Sequence, residues 1–192
     1  MINTPKLLAF SGSLRNDSWN HKLVCVAADA ARKGGAEVTL IRLSDYRLPL
    51  LNQDDEPSLQ THPELLALRA LFSDADGLLI ASPEYNGSLT PVLKNTLDWM
   101  SRLAPDGSYQ SAYPNKVVGL LSASPGNLGG IRGLSHLRDI LTSVGSLVVP
   151  QQMSVNAVHA AFSEGGSFVD EAMNKRLEAM TDSVIKIIKG QR

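Results

Sequence analysis

Cysteine is almost missing from this chain. Cys25 stands alone among 192 residues, which excludes an internal disulfide and any multi-cysteine zinc or iron–sulfur centre and fits a reducing compartment. The four histidines, His21, His62, His136 and His159, show no metal-ligand spacing and read as surface or helix residues. Neither sign of charge is in excess: 18 basic against 19 acidic residues leave −1, so there is no electrostatic footprint for nucleic acid. No apolar run approaches the roughly 20 residues of a membrane helix, and Met1 to Lys6 leads into a strand-like segment without a signal-peptide stretch. A cytoplasmic location is expected. Linkers, repeats and low-complexity tracts are also lacking, which predicts one domain over 1–192.

What is present is a regular alternation of short apolar runs with helix-length amphipathic stretches. Leu7 to Phe10, Glu37 to Leu43, Gly77 to Ala81, Val117 to Leu121 and Leu147 to Val149, closed by Pro150, read as strands. Helices are expected from Trp19 to Lys33, from Pro63 through Phe72, from Pro91 to about Leu103, from Ile131 to Val144 and from Phe168 to Lys189. A polar loop spans Ser44 to Pro57, with Asp54-Asp55-Glu56 read as solvated. A turn is expected at Pro105-Asp106-Gly107. Cys25 reads as a small buried group on the first helix. Most of these strands lack polar alternation and are separated by helices, as in a parallel sheet covered on both faces. Right-handed crossovers then favour a doubly wound α/β fold with five strands in the order 2-1-3-4-5. Ligands of such sheets sit beyond the carboxyl ends of the strands, near the switch point.

The loops after strands one, three and four are therefore the informative ones. Ser11-Gly12-Ser13-Leu14-Arg15-Asn16-Asp17-Ser18-Trp19-Asn20 places hydroxyls, a guanidinium and carboxamides before a helix start. It suits a phosphate or a plain helix cap. It is neither GxxxxGK[ST] nor GxGxxG, and Gly12-Ser13 lacks the nucleophile-elbow context. Ser82-Pro83-Glu84-Tyr85-Asn86-Gly87-Ser88 offers a stiff turn whose N–H groups around Glu84 to Asn86 can line a flat heterocycle; an ordinary proline-entered turn reads the same. In Ser122-Ala123-Ser124-Pro125-Gly126-Asn127-Leu128-Gly129-Gly130, three glycines allow close backbone approach, and the position between strand and helix favours a site over a connector. Together they outline a mononucleotide shelf.

Gly12-Ser13-Leu14-Arg15 with Ser18 and Asn20, then Pro83 to Ser88 leading to Leu93-Lys94-Asn95 and Asp98-Trp99, then Ser124-Pro125-Gly126, Gly129-Gly130 and Arg132, resemble the NAD(P)H-dependent FMN reductase family. These are flavodoxin-like proteins that include quinone, azo-dye and chromate reductases. The resemblance runs from about Leu8 to Val149. It implies FMN phosphate at Ser11, Ser13, Leu14, Arg15, Ser18 and Asn20, and the isoalloxazine against Pro83, Glu84, Tyr85, Asn86, Gly87, Ser124, Gly126, Gly129 and Gly130. It also implies hydride taken from NADPH or NADH and passed to a small-molecule acceptor in ping-pong order, with the flavin carrying the chemistry and no catalytic side chain. Two apolar stripes on the helix from Pro91 (Leu93, Leu97, Met100; Val92, Thr96, Trp99, Leu103) read as a wide core face or as a subunit contact, and the resemblance favours the contact, since family members are commonly homodimers or homotetramers. Thr90-Pro91 departs from the Pro-Gly of many relatives. The alternative is an FMN-binding electron carrier without turnover, whose strongly acidic surface a net charge of −1 does not supply.

Overall fold

Lys6–Ser11 forms β1, buried on both faces from Leu7 onward, the environment that an uninterrupted apolar strand demands. The structure, a computed structural model, describes residues 4–102, 112–163 and 165–191; the expected turn at Pro105-Asp106-Gly107 and the last residue of the Pro91 helix, Leu103, lie outside them. Helix α1 (Trp19–Lys33) starts where the Ser18 hydroxyl accepts the His21 N–H and stops at Gly34. Strand β2 (Glu37–Arg42), a short 3₁₀ turn at Leu43–Asp45 and helices α2 (Glu56–Leu59) and α3 (Pro63–Asp74) precede β3 (Gly77–Ala81). Then come α4 (Pro91–Met100), β4 (Val117–Ala123), α5 (Ile131–Ser143), β5 (Leu147–Val155) and α6 (Glu171–Gly190). The strands pair in parallel in the order β2-β1-β3-β4-β5, as expected.

Alternating strand residues feed two cores. Leu7, Ala9, Leu79, Leu121 and Val149 pack with Leu23 and Ala27 of α1 and Leu177 and Val184 of α6. On the other face Leu8, Phe10, Leu78, Ile80 and Leu120 meet Leu68 and Phe72 of α3, Leu97 of α4 and Leu137 of α5. The order reverses between β1 and β3, so the loops after both strands emerge side by side at the switch point.

Several expectations change. Strand β5 does not close at Pro150. It runs on to Val155, because it is an edge strand and the pairing with β4 jumps from Val118↔Val148 to Leu120↔Gln152. Pro150 falls in that irregular step, where no ladder N–H is required. The last helix begins at Glu171, not Phe168, since the Asp170 carboxylate caps Ala172 and Phe168 is spent in the core. Trp99 and Thr96, read as a second stripe facing another subunit, are buried within the chain. Segment 46–51 covers the Trp99 side of α4: Trp99 Nε1 and Asn95 Nδ2 both donate to the Pro49 carbonyl, at 2.8 and 2.9 Å, and the Leu51 N–H donates to Asn95 Oδ1 at 2.8 Å. Cys25 is half-buried rather than buried, at a hollow between α1 and α6, and desolvation pushes its thiol up.

The acidic cluster also divides. Asp54 and Asp55 are exposed, whereas Glu56 is buried and accepts Arg102 Nε and Nη2 at 2.8 and 2.7 Å. Gln60 Nε2 donates to the same carboxylate and Arg69 Nη1 donates to Gln60 Oε1, so the network ties α2 to α3 and to the end of α4. Hydrogen bonds from Arg102 hold the Glu56 carboxyl below its usual range, against the opposing cost of burial. Because the folded value is the depressed one, this contribution is present above the unfolded carboxylate pKa and is lost as pH falls through the folded pKa. Glu56→Gln should cost about 1 kcal/mol at neutral pH, the pair being partly screened at Arg102. Urea titrations across pH should show the deficit closing in acid; a deficit that does not vary with pH would contradict the ion-pair account.

Candidate functional site

At the carboxyl end of β1 the chain leaves a polar deficit. The Ser11 hydroxyl is buried and has no hydrogen-bond partner among the described residues, a condition that native structures rarely leave unexplained. Ser13 is buried and accepts only a long 3.3 Å contact from the Arg15 N–H. The N–H groups of Ser13, Leu14, Asn16 and Asp17 find no acceptor among the described residues. They lie at the N-terminus of α1, where the partial positive charge of the helix adds to theirs. Arg15 is exposed beside them. A helix cap and an anion cradle thus coexist: Ser18 caps α1, and the N–H array in front of it is left over.

Three buried side chains lock this loop to the other two. The Thr90 hydroxyl, at the N-cap of α4, donates to the Gly12 carbonyl at 2.6 Å and accepts the Leu93 N–H at 3.3 Å. Asn20 uses both ends of its amide on Ala123, donating to the carbonyl at 2.8 Å and accepting the N–H at 2.9 Å. The Ser122 hydroxyl donates to the Ser82 carbonyl at 2.7 Å. The bonds run from first loop to second, first to third and third to second. Asn20, expected at the phosphate, is thereby moved to a positioning role. Thr90, noted in the sequence only as part of a departure from the family pattern, has a positioning role there; its place just before Pro91, as a capping type, was the available signal.

The second loop is a two-residue turn. Tyr85 and Ser88 exchange N–H···O bonds of 2.9 and 3.0 Å, and Asn86 and Gly87 stand at φ 51° and 84°, the left-handed pair that a tight hairpin turn requires. The Tyr85 N–H, expected to line a ligand, is therefore used inside the turn, while those of Glu84 and Asn86 are not. The Tyr85 ring is half exposed. Glu84 turns its carboxylate toward α5 and accepts the N–H groups of Arg132 and Gly133 at 3.0 and 3.1 Å, together with Arg132 Nε at 2.8 Å and Nη2. Burial works to raise this carboxyl, but the bonds from Arg132 and Gly133 outweigh it and hold it below the usual range.

In the third loop Ser124 is half-buried and its hydroxyl accepts the Gly126 N–H at 3.1 Å. Gly126 is open, but Gly129 and Gly130 are glycine for reasons internal to the protein. A Cβ on Gly130 would lie 1.9 Å from Ser122 Oγ, and one on Gly129 2.3 Å from Ser154 Oγ. Close approach of protein to protein is enough to require glycine at both positions.

A cleft of about 360 Å³ opens between the first and second loops, lined by Gly12, Leu14, Arg15, Tyr85, Thr90, Pro91 and Val92. That is the scale of a small-ligand pocket. A hollow of about 470 Å³ lies around Ala75, Asp76 and Asn115 at the opposite end of the sheet, away from the loops. The arrangement can hold an anion at the first loop and a flat polar ring against the second and third, with apolar surface left beside it for a second planar molecule.

Residues 5–160 match the family of NADPH-dependent FMN reductases. A 2-hydroxy-1,4-benzoquinone reductase of Burkholderia sp. is 32% identical over 189 residues, covering 97% of this chain and 98% of the relative. An NAD(P)H-dependent FMN reductase of Pseudomonas aeruginosa is 34% identical over 187 residues, covering 94% and 95%. Among solved structures, FerB of Paracoccus denitrificans, a flavoenzyme NAD(P)H:(acceptor) oxidoreductase, superposes with a TM-score of 0.83 at 28% identity, covering 97% of this chain and 98% of that one.

Two glycines of the third loop that look alike in sequence differ in their surroundings. Gly130→Ala should destabilise the protein by about 2 kcal/mol or more, through the clash with Ser122 and the left-handed backbone. Gly126→Ala, which meets nothing nearer than Ser124 Oγ at 3.5 Å, should stay within about 0.5 kcal/mol of the parent. Equal urea midpoints for the two variants would refute the assignment.

Proposed function

The chain belongs to the NADPH-dependent FMN reductase family, and on that premise we propose how it holds FMN and which acceptor it serves. It is an NAD(P)H-dependent flavin oxidoreductase. When bound, FMN supplies the hydride and electron chemistry that connects NADPH or NADH to an acceptor. The observation that carries the site assignment is the buried, unpartnered Ser11 hydroxyl beside an array of free N–H groups at the switch point. These groups, with Ser13 and Arg15, hold the phosphate. Pro83, the N–H groups of Glu84 and Asn86, Gly87, Ser124 and Gly126 flank the isoalloxazine. Leu14 contributes apolar surface; Ser18, Asn20, Gly129 and Gly130 keep the loops in place.

The acceptor is a small molecule, a planar quinone first, then azo compounds, free flavin and metal oxyanions. The Burkholderia relative's being a 2-hydroxy-1,4-benzoquinone reductase and the apolar cleft beside Tyr85 and Val92 support placing quinones first. Nicotinamide and acceptor use this one cleft in turn, which gives ping-pong kinetics. The exposed apolar side chains lining it, Leu14 at 54% and Tyr85 at 50% exposure, support a homodimer or homotetramer that covers them; a monomeric mass at micromolar concentration would sink that part.

Two experiments test this reading. Under anaerobic conditions, purified protein with FMN should lose its flavin absorbance within seconds of adding NADPH or NADH, and initial rates with a quinone should give parallel lines. Bound flavin that neither nucleotide bleaches would make the chain an electron carrier, and intersecting lines would remove the ping-pong order. In parallel, Arg15→Ala should weaken FMN by about 1.5–3 kcal/mol and leave riboflavin, which lacks the phosphate, unchanged. Ser11→Ala should weaken FMN by about 1 kcal/mol without lowering the stability of the flavin-free protein, since it deletes a polar atom that is unsatisfied there. Unaltered FMN titrations would take both residues out of the site.

A further inference from the structure

Helix α5 begins without a cap of its own. Its N-cap is Gly130, no side chain bonds the first N–H groups from that position, and its first turn carries no acidic residue. The missing acceptor comes from the second loop, 48 residues earlier in sequence. Glu84 reaches across with a side chain only 8% exposed, and its two oxygens take the Arg132 and Gly133 N–H groups and the Arg132 guanidinium. The turn is seated on α5 at its far end as well, since a Cβ on Gly133 would lie 3.1 Å from the Ser88 carbonyl oxygen and 3.5 Å from Glu84 Cγ. A carboxylate removed from water needs this full set of partners, so its charge, and not only its shape, holds the loop down.

We propose that Glu84 is a positioning residue for the flavin ring, its ionised carboxylate fixing the 83–88 turn on the N-terminus of α5, and that Arg132 is its counter-charge. The inference rests on the site described above and deepens it. The turn is stiffened by Pro83 and by the paired Tyr85–Ser88 bonds, so a shift at Glu84 moves the whole strip that faces the ring. The charge has a second consequence. Reduction adds negative charge to the bound flavin, so a carboxylate left without its guanidinium opposes reduction, and a guanidinium left without its carboxylate favours it.

Glu84→Gln, Arg132→Gln and the double variant should be titrated with FMN and with riboflavin by fluorescence, and the midpoint potential of the bound flavin measured. Glu84→Gln should weaken both ligands by the same factor, about tenfold, the scale of charge-assisted hydrogen bonds. That parity marks the ring half of the site, in contrast to Arg15. Arg132→Gln should weaken both less, and the double variant no more than Glu84→Gln alone, as for two residues acting as one unit. The potential should rise in Glu84→Gln and fall in Arg132→Gln. Shifts of the same sign, or none, or a loss confined to FMN would overturn the proposal. If Glu84→Gln does not fold, Arg132→Gln, altered at a side chain 60% exposed, still carries the test through its potential. Wild-type protein that leaves the spectrum of FMN unchanged would refute the site itself, whereas wild type and variants that bind alike would refute only this inference.

Discussion

A parallel sheet that ends abruptly must dispose of its backbone polar groups, and that obligation shapes this molecule. At the carboxyl ends of β1, β3 and β4 the ladder stops, yet Gly12, Ser82 and Ala123 are still buried. Their carbonyls must find donors there or lose a hydrogen bond's worth of free energy. The donors are Thr90 at the N-cap of α4, Ser122 in β4 and Asn20 in α1, each from a different element than the carbonyl it satisfies. The bonds that satisfy the sheet are therefore also the bonds that join three loops into one body. Such preorganisation keeps ordering costs out of ligand binding.

Against that background the unsatisfied groups stand out. Nearly every buried side-chain polar atom among the described residues has a partner, and Ser11 Oγ is one of two exceptions. It sits where the sheet reverses its order and next to N–H groups with nothing to bond. Leaving a buried hydroxyl unpaired costs about 1–3 kcal/mol, a deficit that a phosphate oxygen repairs. Local instability concentrated at one point of an otherwise saturated scaffold is the thermodynamic mark of a binding site.

How much of this the sequence discloses depends on how far apart the interacting residues lie. Strands without polar alternation, Ser18 before an amphipathic run, and Asn86-Gly87 are local signals, and the covered parallel sheet, the start of α1 and the second turn follow from them, whereas the strand order is suggested by the strand count and not shown directly. The bonds that define the site are not local. Asn20 meets a partner 103 residues away and Thr90 one 78 away, so a carboxamide in a phosphate-like loop gave no sign that both its ends were spent on Ala123. Glu56 looked like one of three solvated acids because Arg102 lies 46 residues on. Pro150 looked like a strand terminus because the irregular pairing that accommodates it is visible only once β4 is placed beside it.

The same distinction sorts the loop residues more finely than the motif does. A residue whose polar atoms and contacts are all consumed by the protein serves the scaffold. On that criterion Asn20, Gly129 and Gly130 belong with Thr90 and Ser122, although they sit inside the loops most reminiscent of ligand binding. A residue with capacity to spare is one that the proposed function assigns to the ligand, and Ser11, Ser13, Arg15, Gly126 and the N–H groups of Glu84 and Asn86 fall there. Glu84 belongs to both sets: its backbone is free toward the shelf, while its carboxylate is fully engaged behind it. A residue with one end in each set is the natural place for the scaffold to govern the site, since whatever alters the pairing of the buried end must be transmitted through a short stiff turn to the exposed one.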